Sequence, residues 1–244
     1  MAASSSSASS SSSSSSLALP ASLEQARIQT LPSTAYYIPN FISESEERII
    51  LDKIRSAPQP KWKQLTHRRL QTWPSDLVQD RLLDAPLPDW LETPIVPRLV
   101  SLSRSEDHDG HIFAESPHSR PNHDGGAYWP VVCTVSLGAS LCLNLHQSRE
   151  DGALDPQPVA RILQEPRSLL ITTDSLYTDY LHGISDAVED VGLCAETIAN
   201  WSLLRGAESF VGGRNMRQTR TSLTYRDVLK VSNVGNKLGL FRKR

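Results

Sequence analysis

The sequence predicts a mainly β domain with flanking helices, and three observations carry that expectation. Val131-Val-Cys-Thr-Val-Ser-Leu137 and Ser140 to His146 are apolar stretches of strand length separated by Gly138, the pattern of consecutive strands joined by a short turn. Arg220-Thr-Ser-Leu-Thr-Tyr-Arg226 alternates with the two-residue period of a strand whose two faces differ. A length of 244 residues allows one sizeable core, and all-β domains of this size commonly stay undivided.

Taken in order, residues 1–22 form a Ser/Ala-rich tract that cannot bury enough apolar surface to offset the entropy of ordering it, so a disordered tail is expected. The folded domain spans residues 23–232, followed by a basic tail over 233–244. Ala35-Tyr-Tyr-Ile-Pro-Asn-Phe-Ile42 reads as a short strand that Pro39 places near an edge or an end. A helix then starts at Ser43 or Ser45, with Glu44, Glu46 and Glu47 in its first turn and Ile49, Ile50, Leu51 and Ile54 as its apolar stripe. Trp62 to Trp73 reads as an exposed hairpin with packed tryptophans around His67, Arg68 and Arg69. Leu87 to Leu102 is helical, broken or restarted around Pro94 and Pro97. Ser105 to Arg120 carries His108, His111 and His118 in a solvated loop. A further strand is expected over Glu165 to Thr173, and a short helical piece around Asp190 to Ile198.

Composition narrows the class. The 25 Lys and Arg against 27 Asp and Glu leave a formal charge of -2, so no global field draws the chain onto nucleic acid or an anionic membrane. Cys133, Cys142 and Cys194 lack a Cys-x-x-Cys pair, which argues against a disulfide framework or a structural zinc and favours a reducing compartment, cytoplasm or nucleus. Neither a run of eighteen apolar residues nor a basic-then-apolar leader is found, and a monomer free of membrane is expected.

The chemistry gathers at Arg120-Pro-Asn-His-Asp-Gly-Gly126, which sets a His and an Asp at a glycine turn just ahead of the strand at Val131. Imidazole with a carboxylate is the ligand chemistry of non-haem Fe(II) sites, and Leu181-His-Gly-Ile184 offers a second imidazole. Asp124 and His182 are therefore candidate metal ligands. Asp-Gly is equally an ordinary turn sequence. His123 sits beside Asp124, but neighbouring strand residues point to opposite faces, so it joins the same ion only where the backbone turns. In the last strand Arg220, Ser222, Thr224 and Arg226 share a face; placed inside a barrel, an arginine there needs an anionic partner, and a carboxylate is the natural one. A double-stranded β-helix, or jelly roll, would bring these groups together.

Several stretches resemble the AlkB-like dioxygenases dependent on 2-oxoglutarate and Fe(II), most closely the subgroup called AlkB homologue six. They are Tyr36 to Phe41, Pro60 to Leu65, Arg69-Leu70-Gln71, Asp124 to Gly138, Glu165 to Leu169, Leu181 to Ile184 and Arg220 to Arg226, in the family's order. The resemblance implies Fe(2+) held by Asp124 and His182, 2-oxoglutarate as cosubstrate on Arg220 and Arg226, a substrate lid at Arg69, Leu70 and Gln71, and a nucleic-acid or protein substrate. It also exposes a departure. In the family a strand and a glycine loop lead into His-x-Asp-Gly, whereas here Asn122-His123 runs straight into Asp124-Gly125. The first iron-ligand His has no counterpart, and a catalytically impaired AlkB-like scaffold is the alternative expectation.

Overall fold

The structure is a computed structural model that describes residues 17–31, 34–66, 68–83, 85–103, 128–147, 155–229 and 231–232. Its strands are β1 (Ala35–Ile38), β2 (Lys63–Gln64), β3 (Arg69–Leu70), β4 (Leu82–Leu83), β5 (Val131–Leu137), β6 (Leu141–Gln147), β7 (Ala160–Gln164), β8 (Leu169–Thr173), β9 (Tyr180–Gly183), β10 (Glu189–Val191), β11 (Arg214–Met216), β12 (Thr221–Tyr225) and β13 (Val231–Ser232). The helices are α1 (Glu44–Arg55), α2 (Asp89–Glu92), α3 (Ile95–Ser103) and α4 (Asp174–Thr178).

Two antiparallel sheets form the centre, one of four strands ordered β1-β8-β5-β12 and one of three ordered β7-β6-β9. Strand alternation divides the apolar residues into layers. Cys133, Val135 and Leu137 of β5, with Leu169 and Ile171 of β8, bury against Ile50 and Ile54 of α1 and Ile95 and Leu99 of α3. The opposite face contributes Tyr37 and Leu170, which meet Leu143, Leu145 and Ile162 of the smaller sheet. Outside that sheet Cys142 and Leu163 pack on Leu193, Ile198 and Phe210. A sheet apolar on both faces, with helices on one side and a second sheet on the other, is the jelly-roll arrangement the strand patterns predict.

Helix α1 begins where its sequence says it should. Ser43 Oγ accepts the Glu46 amide at 3.2 Å and Glu46 Oε2 accepts the Ser43 amide at 2.8 Å, a capping box. Glu46 also takes Arg98 of α3 at 2.7 and 2.9 Å, while Glu47 accepts the Gly138 amide at 2.7 Å. The helix is thereby fastened both to its neighbour and to the β5–β6 turn. Gly138 has a φ of +85° and a Cβ there would stand 2.9 Å from the Thr219 carbonyl, so glycine is required on both counts.

The structure revises four expectations. Only Leu169–Thr173 of the stretch from Glu165 is strand; Pro166 and the positive φ of Arg167 make the rest a turn from β7, a strand the sequence did not announce. The predicted helix near Asp190 is instead β10 paired with β11, because Asp190 turns inward to Asn215 of the far strand and to Arg217 just after it. His146, which as the last residue of the stretch Ser140 to His146 reads in the sequence as a rim residue, is 8% exposed with Nδ1 2.8 Å from the Asp155 carbonyl. Residues 17–22, expected in the tail, belong to the described part, and Leu19 packs against the helical layer's core. The rest of the tail, the His108, His111 and His118 loop, His67 and the stretch 233–244 lie outside the described residues.

Candidate functional site in the space between the sheets

Register fixes which side chains enter the inter-sheet space. Thr134 of β5 stands opposite Leu170 of β8 and Thr224 of β12, and Ser136 stands opposite Ser222. Leu170 belongs to the inter-sheet core, so Thr134, Ser136, Ser222 and Thr224 share that inner face. The alternation predicted for the last strand therefore has the right phase. Ser222, Thr224 and Arg226 nevertheless remain exposed, whereas Leu223 and Tyr225 face the helical layer.

Arg220 enters the same space just before β12. Its Nε donates to Ser136 Oγ at 2.7 Å and its Nη2 donates to Gln164 Oε1 of the other sheet at 2.9 Å. Both partners are neutral and both are buried, Ser136 at 0% and Gln164 at 2% exposure. Loss of water around the guanidinium pulls its pKa from 12.5 down to about 10, so it is still a cation at neutral pH. Among the described residues no carboxylate pairs with it. Its near neighbour Arg217 is the opposite case, giving Asp190 bonds of 2.6 and 3.0 Å and reaching Ser185 and Ala187 as well. One arginine is paired with a buried carboxylate, and the other ends on two neutral acceptors.

His182 of β9 stands opposite Leu145 of β6 and shares its inner face, although it is exposed to solvent. Leu145 lies four residues along β6 from Leu141, the partner of Gln164. At about 3.3 Å per residue, the His182 level and the Arg220 level are about 13 Å apart along the strands. The His182 Nε2 lies 2.9 Å from the Leu176 carbonyl; a carbonyl only accepts, so Nε2 is the donor in this contact. Coordination through Nε2 would require the ring to leave that carbonyl.

Asp124 and His123 lie outside the described residues, and among the described residues no three His, Cys, Asp or Glu side chains gather to hold an ion. The described residues thus include one candidate imidazole, not a facial set of iron ligands, and one desolvated guanidinium on two neutral acceptors. Arg226 is set apart from Arg220, its guanidinium 5.2 Å from the Tyr128 ring centre. The lid candidates form the β2–β3 hairpin, as the two tryptophans suggest. Arg69 stacks on Trp62 at 4.1 Å and Lys61 on Trp73 at 4.1 Å. Gln71 is occupied structurally, donating to the Ile54 carbonyl of α1 at 3.1 Å and accepting from Trp73 Nε1 at 3.0 Å. Leu70 is half-buried beside it. These contacts tie the hairpin to the helical layer.

Sequence reasoning missed Ser136 and Gln164, since a serine or glutamine on a strand carries no signal until its register is known. A concavity of about 620 Å³ also escaped it, lined by Glu165, Arg205, Glu208 and Arg214 among others. It contains neither His182 nor Arg220. Its Glu165 is satisfied by Tyr37 Oη at 3.0 Å and the amides of Arg205 and Gly206 at 2.9 Å each, which makes that carboxylate a structural one.

No family model matches the chain. A comparison with curated proteins finds a zebrafish (Danio rerio) relative named "Probable RNA/DNA demethylase ALKBH6", 36% identical over 219 residues that span 86% of this chain and 92% of the relative. Identity on that scale, over nearly the whole of both chains, agrees with the jelly-roll core. The chain belongs to the AlkB-like family of Fe(II)- and 2-oxoglutarate-dependent dioxygenases.

Proposed function

We propose that this chain binds 2-oxoglutarate in the inter-sheet space through Arg220 and oxidises an alkylated nucleic acid, the substrate class in its relative's name. One observation carries the proposal. Arg220 is a desolvated guanidinium held by two neutral acceptors, and a charge buried in that way is matched best by a carboxylate. Iron with 2-oxoglutarate supplies the oxidation of a C–H bond when bound. The chain's own residues do the rest: Arg220 fixes one end of the dicarboxylate, Ser136 and Gln164 hold the guanidinium plane, and His182 lines the other end of the same space. Asp124 enters as the carboxylate ligand by its residue type and its place ahead of β5 alone. For the substrate, the β2–β3 hairpin offers two cation-on-tryptophan stacks, a surface chemistry suited to bases and phosphates.

Titration of the purified chain with 2-oxoglutarate, with and without Fe(II) under anaerobic conditions, tests the proposal. Expected is saturable binding that Arg220→Gln weakens by at least about tenfold, as loss of a charged hydrogen-bond donor should. Absence of binding by the unsubstituted chain overturns it. Two observations favour a second reading, an anion-binding scaffold with little turnover: the missing His-x-Asp spacing at Asn122-His123-Asp124 and the tie between His182 and Leu176. Dicarboxylate binding without the visible charge-transfer band on adding Fe(II) would select that reading.

A further inference from the structure

The proposed cosubstrate site contains a second donor besides its arginine. Arg220 can only donate, so the Gln164 side chain must turn its oxygen toward Nη2, and the 2.9 Å contact has that orientation. The amide's two N–H groups are thereby aimed away from Arg220. Gln164 is 2% exposed, lies at the end of β7 opposite Leu141, and among the described residues its Nε2 has no hydrogen-bond acceptor. A buried amide donor left without a partner costs about 1–3 kcal/mol, and such groups are rare unless something fills them. Only about two to three ångströms separate the oxygen and nitrogen of one carboxamide, on the order of the bite of a carboxylate, so the donors of Arg220 and of Gln164 can converge on one planar anion.

Resting on the assignment of Arg220 to the dicarboxylate, we propose that Gln164 Nε2 donates to the carboxylate that Arg220 binds, and that Gln164 thereby selects an ionised carboxylate over its neutral isosteres. The oxygen of the amide holds the guanidinium plane while its nitrogen holds the ligand. A residue that merely braced Arg220 would weaken all ligands alike. A residue that touches the ligand changes which ligand is preferred.

The experiment compares 2-oxoglutarate with its C5 amide, 2-oxoglutaramate, by calorimetric titration on the full chain and on Gln164→Glu, Gln164→Met and Arg220→Gln. The unsubstituted chain should prefer the acid. In Gln164→Glu the donor becomes an acceptor, and the ratio of the two dissociation constants should move toward the amide by about tenfold to a hundredfold, the effect of one hydrogen bond to a charged group. Gln164→Met, which has neither group, should weaken the acid more than the amide. Circular dichroism of each variant confirms the fold before titration. Equal loss for both ligands in Gln164→Glu and Gln164→Met overturns the inference and leaves Gln164 as a brace. If Arg220→Gln abolishes binding while both Gln164 variants bind like the unsubstituted chain, Gln164 has no part in the site and the arginine assignment stands. If the unsubstituted chain binds neither ligand, the assignment of Arg220 fails first, a distinguishable result.

Discussion

Arg217 and Arg220 lie three residues apart, and replacing each with Met should give unequal outcomes. Removing Arg217 takes the cationic partner at 2.6 and 3.0 Å from Asp190, whose side chain is 2% exposed, and leaves its charge to the neutral donors Asn215 Nδ2 at 2.9 Å and the Cys142 amide at 3.3 Å. Breaking a buried ion pair on one side costs about 3–5 kcal/mol. For Arg220 the terms nearly cancel, because its burial is itself unfavourable in the folded protein. Its pKa falls from 12.5 to about 10, and at about 1.4 kcal/mol per tenfold change in proton affinity the buried charge costs about 3 kcal/mol. Substitution relieves that cost, while Ser136 Oγ and Gln164 Oε1 each lose a donor, at about 1–3 kcal/mol apiece. The buried methionine stem returns about 1 kcal/mol. Arg220→Met should therefore lie within about 2 kcal/mol of the parent. In urea, with a slope of about 2 kcal/mol per molar, Arg217→Met should lower the midpoint by about 1.5–2.5 M and Arg220→Met by less than about 1 M. Saturating 2-oxoglutarate, at about a hundred times its dissociation constant, should stabilise the parent by about 2.7 kcal/mol and leave Arg220→Met unmoved. Equal midpoint losses in the two variants would show that Arg220 is a structural cation and refute the reasoning.

Three further outcomes follow from the fold. Asn200 is fully buried, its Oδ1 accepting the Leu163 amide at 2.9 Å and its Nδ2 donating to the Leu163 carbonyl at 2.8 Å; Asn200→Ala should cost about 2–6 kcal/mol and lower Tm on the order of 10 °C in a thermal melt. Burial pushes the Glu46 carboxyl up, but hydrogen bonds from Arg98 and Ser43 outweigh it and leave it below its ordinary 4.5. Stability from such a group is full above about 4.5 and is lost as pH falls through the lower folded value, so Glu46→Gln should be least costly in the most acidic denaturation series. Gly138→Ala must accept both a φ of +85° and a Cβ 2.9 Å from the Thr219 carbonyl; a loss of about 1–3 kcal/mol is expected from the backbone alone. Because Thr219 precedes Arg220, titration should also show weaker dicarboxylate binding.

Legibility differed from element to element for physical reasons. The capping box at Ser43, the break at Pro94 and the strand before Gly138 are local, so residue types within a few positions announce them. Alternation from Arg220 to Arg226 gave the phase of the last strand correctly, and with it the inner placement of Arg220. Strand β7 was missed because what supports it comes from far along the chain: the Asn200 side chain imitates a neighbouring strand for Leu163. Asp190 misled for a similar reason, since its partner lies 27 residues on in Arg217. Ser136 and Gln164 became visible only when pairing brought β5, β7 and Arg220 together. Gln71, drawn to the lid by resemblance, proves to be tied to a helix end.

The guanidinium comes from beside the larger sheet, the imidazole from the smaller, and Arg220 to Gln164 is a polar rivet across them. On the proposed assignment, a small anion bound there would also be a spacer, and its grip would measure how far apart the two layers stand. Trimming Leu143 or Leu170, which hold the two sheets apart, should retune that grip by letting the layers settle closer. Cosubstrate affinity then becomes a ruler for the thickness of the core.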